Sequence, residues 1–112
     1  YESGLGVEKD EACAVKWYRS AAELGSAEGQ YCLGRSYELG RGVKVDCVAV
    51  AKWYKKAAEQ GHVQAQARIG RCYARGWGVE KNAREAMKWY LKAAAQGSKE
   101  AIEELKSFGV LE

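Results

Sequence analysis

The sequence predicts an all-α solenoid built from antiparallel helix hairpins, and three observations carry that prediction. One phrase is written three times, as "VEKDEACAVKWYRSAAELGSAEG" from Val7, "VKVDCVAVAKWYKKAAEQGHVQA" from Val43 and "VEKNAREAMKWYLKAAAQGSKEA" from Val79. The copies keep a 36-residue period: Trp17, Trp53 and Trp89, then Tyr18, Tyr54 and Tyr90, then Gly25, Gly61 and Gly97. A further column, Tyr1, Tyr37 and Tyr73, keeps the same spacing. Proline is absent while glycine occurs 13 times, so helices can run uninterrupted and glycine must supply the stops. Self-similarity at a period of roughly 20–50 residues marks a solenoid, whose units bury their apolar faces against neighbours.

Each unit reads as two helices. Asp10, Asp46 and Asn82 stand before stretches rich in alanine, lysine and glutamate, where a short acceptor can satisfy free backbone N–H groups. That predicts B helices over 10–24, 46–60 and 82–96, each stopped by the Gly25, Gly61 or Gly97 column. On the first of them Ala14, Trp17, Tyr18 and Ala21 fall at i, i+3, i+4 and i+7, one apolar stripe. Rings alternating with alanine on a helix face are a packing pattern, so the aromatic ladder reads as core rather than as a ligand platform. The A helices follow at 26–39, 62–75 and 98–107, with inward sets Gly29, Leu33 and Tyr37, then Ala65, Ile69 and Tyr73, then Ala101 and Leu105. Gly34 and Gly70 leave room for a close helix neighbour. Gly4-x-Gly6-Val7, Gly40-x-Gly42-Val43 and Gly76-x-Gly78-Val79 read as tight connections whose valine tucks into the core. Connections this short make successive helices antiparallel. The chain thus divides into a partial repeat 1–25, repeats 26–61 and 62–97, and a terminal segment 98–112.

Composition narrows the function. Hydrophobic residues at 47% and charged residues at 29% are ordinary for a globular chain. No apolar run approaches the roughly 18–20 residues of a membrane span, so no membrane insertion is expected. A net charge of +3 falls short of the basic excess of nucleic-acid binders, which excludes that partner class from the expectation. No Gly-x-Ser-x-Gly, phosphate-binding loop or paired-carboxylate constellation is present. His62, the single histidine, stands at a helix start in the column of Ser26 and Ser98, a capping position. The expectation is therefore a non-enzyme without cofactor.

The phrases "LGRSYELGRGVKVDCVAVAKWYKKAAEQGHVQA" and "IGRCYARGWGVEKNAREAMKWYLKAAAQGSKEA" resemble the Sel1-like repeat family, α/α solenoid relatives of the tetratricopeptide repeat. The resemblance covers nearly the whole chain. It implies a right-handed superhelix acting as an adaptor for protein complexes, in bacterial envelope, secreted or cytoplasmic settings or in the eukaryotic endoplasmic reticulum. Two departures stand out. Tyr1 matches the end of an A helix, so the first hairpin lacks its leading arm, and the exposed B-helix face around Trp17 is expected to favour self-association. At the other end Lys106 and Gly109 replace the Gly34/Gly70 and Tyr37/Tyr73 columns, which reads as a polar capping helix. The chain is expected to be the C-terminal part of a longer repeat protein.

One cysteine-rich branch of that family joins its hairpins through cysteines eight positions apart, and those columns here hold Ala22 and Gln30, Ala58 and Gln66, Ala94 and Ile102. That staple does not carry over. Cys13, Cys32, Cys47 and Cys72 lack Cys-x-x-Cys spacing, so no zinc site is expected. Reduced, partly buried thiols are the expectation, with a Cys13–Cys47 bridge as the alternative.

Charge distinguishes the two helix sets. B helices carry lysine, as Lys16, Lys52, Lys55, Lys56, Lys88 and Lys92, whereas A helices carry arginine. In stacked hairpins the A helices line the concave groove, and helical phase puts Tyr31, Arg35 and Glu38 on its open side, with Arg71 following and Arg68 and Arg75 at its flank. Arginine and tyrosine are enriched at interfaces, and a guanidinium grips carboxylates with two bonds. The candidate partner-binding set is therefore Tyr31, Arg35, Glu38, Arg68, Arg71 and Arg75, with an acidic or C-terminal-carboxylate peptide or protein as partner. A generic solvated face competes with that reading. So do a hydrolase linked to cell-wall or β-lactam chemistry, as suggested for some relatives, and an architectural spacer.

Overall fold

The computed structural model describes residues 4–107, with side-chain environments from residue 11 onward. Tyr1, the Val7 side chain and the capping segment beyond 107 with Gly109 lie outside the described residues. Six helices are described, and they follow one another as α1 (Gly4–Glu23), α2 (Ala27–Leu39), α3 (Cys47–Glu59), α4 (Val63–Arg75), α5 (Ala83–Ala95) and α6 (Lys99–Ser107). Stacked in sequence order they give an elongated body of 47 × 27 × 25 Å. No strand occurs among the described residues.

The capping columns act as their chemistry predicts. Asp46 accepts from the N–H groups of Val48 and Ala49 at 3.1 and 3.2 Å, and Asn82 from Glu85 at 3.1 Å. At the A-helix starts, Ser26 accepts from Gly29 and Ser98 from Ala101. His62 does the same through Nδ1, which accepts from the Ala65 N–H at 3.1 Å. The exception is the first B helix. Asp10 falls inside α1, and Gly4 to Val7 belong to that helix instead of forming a turn. Elsewhere the turn is closed by acceptors on the preceding A helix: Arg41 N–H to Ser36 O at 3.0 Å and Asp46 N–H to Tyr37 O at 3.3 Å in the first, Trp77 to Cys72 and Asn82 to Tyr73, both at 2.9 Å, in the second.

Packing explains the aromatic columns. Gly34 admits the Tyr54 ring so closely that a Cβ there would lie 2.8 Å from it, and Gly70 stands at 3.0 Å from Tyr90 in the same way. Each tyrosine thereby seats its B helix on the A helix before it. Tryptophan works across hairpins instead. Trp53 joins Val15, Ala22 and Leu33, while Trp89 joins the cluster of Val50, Ala58 and Ile69. Val43 and Val79 fold back onto the same clusters. Lysines roof the two rings, with Lys52 and Lys56 ammoniums 5.0 and 5.1 Å from the Trp53 centroid and Lys88 and Lys92 at 5.6 and 4.8 Å from Trp89. Such contacts add a cation–π term and let the lysine stems shield the indole. Trp17, which has no earlier hairpin to enter among the described residues, is 77% exposed.

A second repeated link crosses the hairpins through amides. Gln30 Nε2 donates to the Ala22 carbonyl and Gln66 Nε2 to that of Ala58, each at 3.2 Å. Gln60 Nε2 then donates to Gln30 Oε1 at 2.9 Å, and Gln96 Nε2 to Gln66 Oε1 at 2.8 Å. Both glutamines are buried, so these bonds satisfy groups that would otherwise be costly to desolvate. The Gln30–Ala22 and Gln66–Ala58 bonds fall in the columns that the resemblance to the cysteine-rich branch assigns to disulfides.

Candidate functional site

The A helices meet through side-chain pairs that differ from repeat to repeat. Between α2 and α4, the Arg71 guanidinium donates to Glu38 Oε2 at 2.7 Å. The other Glu38 oxygen accepts from the Tyr54 hydroxyl at 2.6 Å, so one carboxylate clamps α2, α3 and α4 together. Burial, reinforced by that bond to Glu38, drives the Tyr54 phenol well above the usual tyrosine range. At the other end of the same helix pair, His62 Nε2 faces Glu28 Oε2 at 2.8 Å. Since Nδ1 accepts the Ala65 N–H, the ring proton is assigned to Nε2 and donates to Glu28. Between α4 and α6, Arg68 lies 3.7 Å from Glu100.

These pairs sort the six residues picked from sequence. Arg68, Arg71 and Glu38 are engaged within the solenoid. Tyr31 is only 5% exposed, stacked on His62 at 4.6 Å and tilted against Tyr54 at 5.6 Å. Its helical phase does match Arg35 and Glu38, yet the following hairpin covers its turn of the helix. Arg35 and Arg75 remain exposed, Arg35 with its guanidinium 6.0 Å from the Tyr31 centroid.

Two clefts flank this face. One of ≈ 210 Å³ lies between α1 and α2 and is walled by Glu11, Tyr18, Arg35, Leu39 and Arg41. The other, of ≈ 260 Å³, is lined by Glu38, Arg71, Arg75 and Trp77. Sequence reasoning missed Arg41 and Trp77. Both occupy the middle of Gly-x-Gly, the variable letter in a constant frame, and that variability was the available signal.

Two of the four thiols, Cys32 and Cys72, sit where burial disfavours the thiolate. All four cysteines are free, and the alternative Cys13–Cys47 bridge is not formed. Cys47 instead lies within electrostatic reach of Cys72. Cys32 donates to Glu28 Oε1 at 3.8 Å, close to the Glu28–His62 pair. Burial first, then the Glu28 charge, push its pKa up, the reverse of what an attacking thiolate needs. Burial raises Cys72 from 9.0 to about 11. The unfolded chain therefore loses this proton first as pH rises, so the stability due to the neutral thiol is full below pH 9.0 and drains towards pH 11. Urea melts are expected to show falling stability across that window, with a shallower fall in Cys72→Ala.

No group of histidine, cysteine and carboxylates suited to a metal exists among the described residues. Nor is any described helix long and apolar enough to cross a membrane.

Comparison with known proteins fits this geometry. The Sel1 repeat model matches residues 1–26, 27–62 and 63–98. A Sel1 repeat protein from Oxalobacter formigenes superposes with a TM-score of 0.81 at 43% identity, covering 83% of this chain and 70% of that one. The protective antigen c5321 of uropathogenic Escherichia coli, which displays the same repeat fold, gives 0.81 at 40% identity over 90% of this chain. This chain spans only 22% of that antigen. Helicobacter pylori cysteine rich protein B gives 0.76 at 34% identity, covering 81% and 68%. No match is found among curated proteins. With repeat matches along almost all of its length and an α/α solenoid built from them, the chain belongs to the Sel1 repeat family.

Proposed function

We propose that this chain is a non-enzymatic binding module that holds an acidic peptide or protein segment along the surface of its A helices. The family's members are generally protein-interaction scaffolds, and the reading extends that role to this chain. The observation that carries it is the division of the cations. Arg68 and Arg71 are spent on Glu100 and Glu38, whereas Arg35, Arg41 and Arg75 are exposed and have no carboxylate partner among the described residues. Those three arginines stand beside the two clefts, where a guanidinium can take a carboxylate with two bonds. Affinity capture with the wild-type chain and with the Arg35→Glu/Arg75→Glu double variant tests it. Loss of the captured partner from a variant that still melts normally supports the reading, and an unchanged capture profile removes it in favour of a spacer.

A second contact has its own observation. Trp17 on α1 and Leu24 in the turn just after it are 77% and 88% exposed, whereas the Trp53 and Trp89 counterparts of Trp17 are buried between hairpins. A second copy of the chain covering this face would restore the missing burial. Such self-association is concentration-dependent, so it is read by light scattering together with the Trp17 variant considered in the Discussion.

A further inference from the structure

The two glycine turns share one backbone and present opposite side chains. Gly40 and Gly76 both sit at φ 68°, and Gly42 and Gly78 both at φ 77°. On that common frame Leu39, Val45 and Val48 stand where the next repeat has Arg75, Lys81 and Arg84. Conversely Arg41 and Lys44 stand where it has Trp77 and Glu80. Leu39, Val45 and Val48 are 48%, 58% and 68% exposed. A single exposed apolar side chain is ordinary, but Leu39 and Val45 line one trough together, with Val48 three residues further on, and such a grouping has a different meaning.

The patch continues into a cavity. The ≈ 210 Å³ cleft between α1 and α2 has Leu39 at its rim and Tyr18 in its wall. From Leu39 and Glu11 an open trough runs on over Val43, Lys44 and Val45. Val45 folds back towards Gly40, whose added Cβ would lie 3.0 Å from its Cγ2, so the turn holds this apolar group in place. Arg35 and Arg41 line the cleft and Lys44 lines the trough, all three exposed and without ion pairs among the described residues. Glu11 is the carboxylate on the wall.

From this arrangement we infer that the first turn is the anchor site for an acidic peptide segment carrying an apolar side chain between carboxylates. The apolar group enters the α1/α2 cleft against Leu39 and Tyr18, and the flanking carboxylates meet Arg35, Arg41 and Lys44. The inference rests on the binding-module reading and places the anchor at the first turn instead of the Arg75–Trp77 cleft. Apolar burial sets where the segment sits, while the cations set how fast and how salt-sensitively it arrives. The second turn offers cations and an indole without the apolar trough, so the two repeats would read different parts of one extended ligand.

The test is an NMR titration of the isotope-labelled chain with a short peptide alternating glutamate and leucine, run against glutamate–serine and lysine–leucine counterparts. Shift changes are expected to cluster at residues 39–45 and to require the glutamate–leucine peptide. Arg41→Glu is expected to weaken binding by about tenfold or more. Leu39→Ser/Val45→Ser is expected to weaken it by about tenfold. Both variants alter exposed side chains and are expected to melt like the parent. Equal binding of the glutamate–serine peptide overturns the anchor. Changes confined to Arg71, Arg75 and Trp77 also overturn it while leaving the binding-module reading standing, and no change in either region removes both.

Discussion

Replacing Gly78 with alanine is expected to lower the melting temperature by about 10–20 °C, corresponding to a loss of roughly 3 kcal/mol. Two costs add. Gly78 sits at φ 77°, in the left-handed region where a Cβ costs about 1–2 kcal/mol. The added Cβ would also run into the Cys47 carbonyl oxygen and carbon, backbone atoms at the first turn of α3 that cannot rotate away. Gly78 is thus the point where the turn after α4 rests on the preceding B helix. Gly42 rests on Glu11 O in the same way, at 2.5 Å from a built Cβ. A control separates the two terms. Gly61 has φ 91° but nothing within 4 Å, so Gly61→Ala should cost only about 1 kcal/mol from strain. Circular-dichroism melts of the two variants measure both, and equal losses would show that contact between turn and helix is not what Gly78 provides.

The tryptophan column should split just as sharply. Trp89→Ala is expected to cost about 3–5 kcal/mol, because it empties the seam between two hairpins. Trp17→Ser, at a ring 77% exposed, is expected to stay within about 0.5 kcal/mol. Urea melts measure this contrast between residues that share one local sequence. If a second copy covers Trp17, the same variant also abolishes the concentration dependence of light scattering. A large stability loss in Trp17→Ser at monomeric concentration would contradict the seam account.

The repeated residues were legible because each is needed by every hairpin. The Trp and Tyr columns, the glycine turns and the caps at Asp46 and Asn82 follow from helical phase and turn chemistry, which local sequence contains. The A-helix surface was less legible for a physical reason. Whether Arg71 faces solvent or Glu38 depends on how α4 lies on α2, a relation between residues 33 positions apart. Likewise Tyr31 has the phase of an open position, and the Tyr54 ring of α3 together with His62 at the start of α4 closes it. The Gly4–Val7 segment is helical where a turn was expected, while the two glycine turns that do form are bonded to carbonyls of the A helix before them. Thus the fold could be read from one repeat, whereas the site depends on pairs between repeats.

On the proposed binding-module reading, this scaffold binds through its unpaired A-side cations, not through the lysines of its B helices. The direct measurement is the affinity for a captured partner of three chains: wild type, Arg35→Glu/Arg75→Glu, and Lys52→Glu/Lys56→Glu. About tenfold or greater weakening is expected in the arginine variant, stronger at low salt, with little change in the lysine variant. Binding lost in the lysine variant and kept in the arginine variant would contradict it.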